Sequence, residues 1–147
     1  MSTLTNSQKH IAGVATPKLW WIALAAGAAA FIGNLIVFLV AQNLLGLLPA
    51  VPQFPDNTTL VPLSIGQLLA ASIVPALATA VLLAILGRFV KRPFPLFQII
   101  AAIVLLLSFG GPLSLPLGGA EKAVLAVMHL VTAVAIVAIF SALARKP

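Results

Sequence analysis

Four apolar runs, separated by segments rich in proline, glycine or basic residues, restrict this chain more than any motif does. A hydrocarbon core of about 30 Å takes roughly 20 residues of helix, so runs at about 19–45, 63–86, 94–109 and 120–143 read as membrane spans. The fold expected is an all-α membrane protein, a four-transmembrane-helix bundle forming one integral membrane domain over residues 1–147. Charged residues make up only 7% of the chain, against about 25% in soluble domains. A signal peptide does not account for the first run, whose apolar stretch exceeds the usual length of about 7–15 residues.

Basic residues give the threading. A net charge of +6 would suggest nucleic acid in a soluble chain, but here Lys and Arg sit at the ends of apolar runs. They read as topology signals and lipid-headgroup contacts, with the bilayer and not nucleic acid as partner. Lys9, Lys18, Arg88, Lys91, Arg92, Arg145 and Lys146 fall on one side, and Lys122 falls on the other with the two acids Asp56 and Glu121. The positive-inside rule then places both termini in the cytoplasm. Without cysteine there is no disulfide, thiolate nucleophile or Cys-ligated metal.

Residues Met1 to Pro17 read as a polar tail, and Trp20 and Trp21 as an aromatic belt at the first span. Gly46 to Pro62, with four prolines, reads as a stiff extracytoplasmic connection. Its Asn57-Thr58-Thr59 triplet matches a glycosylation acceptor of a kind common by chance. Pro75 predicts a kink in the second span, because it leaves the Ala71 carbonyl without its helical partner. The third span loses helical character at Gly110-Gly111-Pro112, near its outer end. About 16 residues give roughly 24 Å, too short to cross, so Pro112 to Gly119 is expected to complete the crossing as an extended segment.

Depth places the few polar residues in one layer. At 1.5 Å per residue, Asn34, Ser72 and His129 lie roughly 13–18 Å below the outer ends of their spans, and Ser108 falls near the same level. Polar side chains in hydrocarbon normally face the bundle interior and find partners there. The expectation is an outward-facing polar pocket lined by Asn34, Ser72, Ser108 and His129, with the Gly110 and Gly111 backbone supplying unpaired groups. A ring nitrogen of His129 should reach Asn34, Ser72, Ser108 or a carbonyl near Gly110. Gln42, Asn43, Gln67 and Glu121 form a shallower polar ring above. The competing reading is structural: histidine and asparagine as helix–helix hydrogen-bond partners, Ser72 bonded to its own backbone, and Glu121 at a helix N-terminus.

The run Leu-Leu-Ser-Phe-Gly-Gly-Pro-Leu, about 14 residues later Met-His-Leu, and an early Gly-Asn-Leu resemble an uncharacterised family of small bacterial four-helix membrane proteins. The likeness covers Leu19 to Leu143 and marks Asn34, Ser108, Gly111, Pro112 and His129. It implies a bacterial cytoplasmic membrane and brings no activity.

Function classes separate on what the chain lacks. Two acids, no Ser/His/Asp set and no His-Glu-x-x-His leave little acid–base or metal chemistry, so the reading leans away from an enzyme. An accessory or small-ligand-binding protein ranks first, with a second copy or another membrane protein as the partner it would meet. A small-solute or proton transporter or channel using His129 ranks second. Single-histidine haem or pigment ligation ranks third, since no second intramembrane histidine exists to complete a bis-His site. No cofactor is implied strongly.

Overall fold

A computed structural model describes residues 13–53 and 59–145. The N-terminal tail with Lys9 and His10, the loop tip with Asp56, Asn57 and Thr58, and Lys146 lie outside them. Among the described residues, four helices are long and apolar enough to cross a membrane, which makes the chain a multi-pass membrane protein.

The first, α1 (Leu19–Asn43), follows a short 3-10 turn at Thr16–Lys18 whose Pro17 suits a helix start. It ends where Gly46 adopts φ 63°, a left-handed conformation that costs glycine little, and the Leu47 amide reaches back to the Ala41 carbonyl. A short hairpin follows, β1 (Ala50–Pro52) against β2 (Leu60–Pro62), with Val51 opposite Val61. The proline-rich connection is therefore paired, although prolines cannot donate to a ladder. Amides of Gln53 and Leu63 donate to Thr59 and Pro49, so Pro52 and Pro62 occupy the alternate, non-bonded positions of an antiparallel pair.

Helix α2 (Ile65–Phe89) starts at a capping box. Ser64 Oγ accepts from the Gln67 amide at 3.3 Å, and Gln67 Oε1 accepts from the Ser64 amide at 2.9 Å. The return turn ends at Pro93, first residue of α3 (Pro93–Ser108), and α4 (Gly110–Ser114) follows after a bend at Phe109. The bend follows from Pro112, which has no N–H for the Ser108 carbonyl. Here the structure corrects the expectation of extended chain from Pro112. Leu113 donates to the Phe109 carbonyl at 3.1 Å, so helix continues to Ser114, and extended dihedrals come only at Leu115 and again at Gly118, with the Leu117 amide turned back to the Leu115 carbonyl between them. Proline fits the first turn of a helix, where its N–H is not needed. The 22 residues of Pro93–Ser114 span about 33 Å, enough to cross unaided. The last helix is α5 (Gly119–Leu143).

Helix α1 is central, packed along α2 on one side and α5 on the other, while α2 and α5 meet only sparsely. Small residues permit this. A Cβ on Gly27 would stand 2.6 Å from Ile73 Cδ1 of α2, and one on Gly33 would stand 2.7 Å from Val131 Cγ1 of α5. The third span is peripheral: 11% of the apolar stretch within Pro93–Ser114 is buried, against 39% of that within Thr16–Asn43. Two apolar clusters fill the interior. One, including Leu83, Phe97 and Phe140, lies toward the end carrying Lys18, Arg88, Lys91, Arg92 and Arg145, the basic end. The other, including Phe38, Leu68 and Met128, lies under the hairpin.

Candidate functional site

Between the two apolar clusters lies a polar node that joins three helices. Asn34 is 2% exposed and Ser72 is fully buried. The Asn34 Nδ2 donates to Ser72 Oγ at 3.3 Å and to Thr132 Oγ1 at 2.7 Å, tying α1 to α2 and α5. Ser72 fixes the orientation of the amide. Its hydroxyl already donates to the Leu68 carbonyl at 2.9 Å, so toward Asn34 it can only accept. Both amide hydrogens are thereby committed, and Asn34 Oδ1 is buried with no hydrogen-bond partner among the described residues. An unpaired buried carbonyl costs about 1–3 kcal/mol, so this acceptor marks a place where a donor would be stabilising.

A cavity of about 110 Å³ adjoins the node on the hairpin side, lined by Asn34, His129 and Thr132 with Val51, Leu63, Leu68, Ala71, Leu125 and Met128. The hairpin supplies part of its wall through Val51. The Nδ1 of His129 lies 2.7 Å from the Leu125 carbonyl one turn back on its own helix. A carbonyl only accepts, so Nδ1 carries the proton, and in the neutral ring Nε2 is a lone-pair acceptor. Ala71, which also lines the cavity, has a carbonyl without its usual helical partner, because Pro75 has no amide hydrogen to give it. Asn34 Oδ1 and His129 Nε2 are left as acceptors, while the Thr132 hydroxyl, which accepts from Asn34, has no acceptor for its own hydrogen among the described residues.

Not every residue expected at the site is brought to it. Asn34, Ser72 and His129 gather around the node, but the His129 ring bonds its own helix rather than Asn34, Ser72, Ser108 or a carbonyl near Gly110. Ser108 Oγ donates to the Leu105 carbonyl at 2.7 Å and faces a different space. Gly110 and Gly111 are exposed, with nothing within 4 Å of a Cβ placed on either, and the Gly111 carbonyl accepts from Ser114 Oγ at 2.8 Å. The shallower residues serve helix ends instead of a ring. Asn43 Nδ2 donates to the Leu39 carbonyl, Gln67 caps α2, and Glu121 accepts from the Gly118 amide at 3.0 Å. Gln42 is half-buried on α1. Thr132, which sequence reasoning missed, is the closest partner of Asn34. Its signal was available, three residues from His129 on one helical face.

The space that Ser108 faces is a larger chamber of about 420 Å³ between α2, α3 and α5, walled by apolar side chains from Leu82 and Phe97 up to Pro75 and Thr132. Among the described residues, no three histidine or carboxylate side chains come together as metal ligands.

A family model described as a family of unknown function, DUF6069, matches residues 14–146. No curated protein and no solved structure matches the chain.

Proposed function

Because the chain belongs to the DUF6069 family, whose description carries no activity, function must be read from the site, and we propose a small-ligand-binding membrane protein. Its ligand is a neutral hydrogen-bond donor held at the hairpin-end cavity. The observation that supports this is the unpaired, buried side-chain oxygen of Asn34, a residue that lines the cavity together with His129 and Thr132. A hydroxyl or NH2 group entering there would pair Oδ1 and remove the cost of leaving it unsatisfied. In topology, the basic end faces the cytoplasm, and in a bacterial cell the hairpin would then face outward.

Two other readings fare less well. A solute or proton path through His129 would need a route to the basic end, and Leu83, Phe97 and Phe140 close that half of the interior, each 0–1% exposed. A haem or pigment macrocycle exceeds a cavity of about 110 Å³ and would have to stand against the lipid face of α5.

The test uses the full chain in lipid nanodiscs with its asparagine side-chain amides labelled. Titration with 1-butanol should shift the Asn34 resonance saturably. Its isomer 1-methoxypropane, which has no donor, should not. The Asn34→Leu variant, followed through Leu68 and Met128 methyl resonances, should lose the saturable response to butanol. An equal and non-saturating response to both probes would overturn the reading.

A further inference from the structure

We propose that the ligand is amphiphilic, a neutral single-chain molecule whose hydroxyl sits at the Asn34–Thr132–His129 node and whose hydrocarbon tail fills the chamber between α2, α3 and α5. This rests on the reading above that the cavity takes a hydrogen-bond donor. Thr132 joins the two spaces, since it lines both the 110 Å³ cavity and the 420 Å³ chamber. Helices α2 and α5 meet only sparsely.

The chamber is suited to a tail and to little else. It has room for on the order of a dozen water-sized groups, but water needs polar partners, and its walls are side chains such as Leu82, Phe97, Val104 and Ile136. Left empty, these walls would lose their dispersion contacts on one side. Two of the three hydroxyls in its lining donate to their own helices, Ser108 to the Leu105 carbonyl and Thr79 to the Pro75 carbonyl at 2.9 Å, and the third, Thr132, belongs to the node. The segment formed by α3 and α4 is held at both ends, with the chamber between them. Near the basic end, Gln98 Nε2 donates to Ser141 Oγ at 3.3 Å and Phe97 packs on Phe140. At the other end, Lys122 Nζ donates to the Leu113 carbonyl at 3.1 Å.

The headgroup is neutral because the node offers no charge. Lys122 lies seven residues from His129, roughly 10 Å along α5, and is turned to Leu113, while Glu121 is held by the Gly118 amide. A phosphate or carboxylate at the node would meet no cation and, beyond the Thr132 hydroxyl, only acceptors, which is costly in hydrocarbon. A hydroxyl satisfies Asn34 Oδ1 without bringing charge.

The experiment extends the Asn34 titration to 1-dodecanol and dodecane, with ligand expressed as mole fraction in the nanodisc bilayer so that partitioning itself cancels. Dodecanol should half-saturate at a mole fraction at least about tenfold below that of butanol, and dodecane should leave the Asn34 amide unmoved. Filling the chamber with Ala101→Phe on α3, or independently Ala78→Phe on α2, should erase the chain-length advantage and keep the butanol response. A dodecanol carrying a terminal diazirine should crosslink saturably to Leu82 or Phe97, in competition with unlabelled dodecanol and not with dodecane. Equal mole fractions for butanol and dodecanol would overturn the tail assignment and leave the donor site standing. A failure of both alcohols to saturate would overturn both.

Discussion

Asn34 commits its two amide hydrogens to hydroxyls on two other helices and leaves its oxygen unpaired, so its contributions to stability and to binding are separable. Interhelical hydrogen bonds in membranes average about 0.6 kcal/mol and reach roughly 1.7 kcal/mol. The 2.7 Å bond to Thr132 belongs at the upper part of that range, and a double-mutant cycle of Asn34→Ala with Thr132→Val, read by reversible unfolding in mixed micelles, should return a coupling of about 1 kcal/mol. A coupling near zero would mean that the node does not hold the helices. His129 is expected to behave differently. Its Nδ1 bonds a carbonyl of its own helix, which the α-helical ladder already supplies with a donor, so His129→Leu should cost less than about 1 kcal/mol. The same variant should weaken the Asn34 response to butanol in the nanodisc titration. A large loss of stability instead would make the ring a structural element of the bundle.

At the scale of elements, close approach at α1 and open space at α4 predict opposite responses to added side chains. Gly27→Val or Gly33→Val puts methyl groups where Ile73 and Val131 already stand, and each should destabilise by about 1–3 kcal/mol in the same unfolding assay. Gly110→Ala and Gly111→Ala meet nothing and sit on helical backbone, so each should stabilise by up to about 1 kcal/mol. Loss of stability from either alanine would show that the glycines are needed for something the bend alone does not explain. Hydropathy and length made the four helices legible, because a bilayer leaves few other ways to satisfy the backbone. The break near the end of the third helix was legible too, from Pro112. Its continuation as helix was not, since a proline that ends one helix is also compatible with the first turn of the next. Counting residues gave depth, which put Asn34 and Ser72 at one level. It gave no azimuth, so it could not separate Ser108, which faces the chamber, from Ser72, which faces the node. Thr132 was passed over because threonine is mild in an apolar run, although its spacing from His129 placed it on the same face.

For the molecule as a whole, the two ends differ in charge and in packing, and both differences bear on orientation. Lys18, Arg88, Lys91, Arg92 and Arg145 gather at one end, where the Arg145 guanidinium lies 4.9 Å from the centre of the Phe94 ring and the Ala15 amide donates to the Ala144 carbonyl. That contact brings the start of α1 and the end of α5 together, so in any threading the segments flanking 14 and 145 share a side of the membrane. The hairpin end carries Glu121 and Lys122, whose charges oppose one another. Basic residues at short loops are retained on the cytoplasmic side, and a charged side chain at the bilayer centre costs about 2.5–3.5 kcal/mol on insertion scales, so the bias toward one end resists inversion. Reporter fusions that are active only in the cytoplasm should therefore give signal at Pro147 and none at Asp56, and reporters active only outside should give the reverse. Signal from the same reporter at both positions would overturn the four-span threading. A clean exchange of the two signals would keep the threading and turn the hairpin-end cavity toward the cytoplasm.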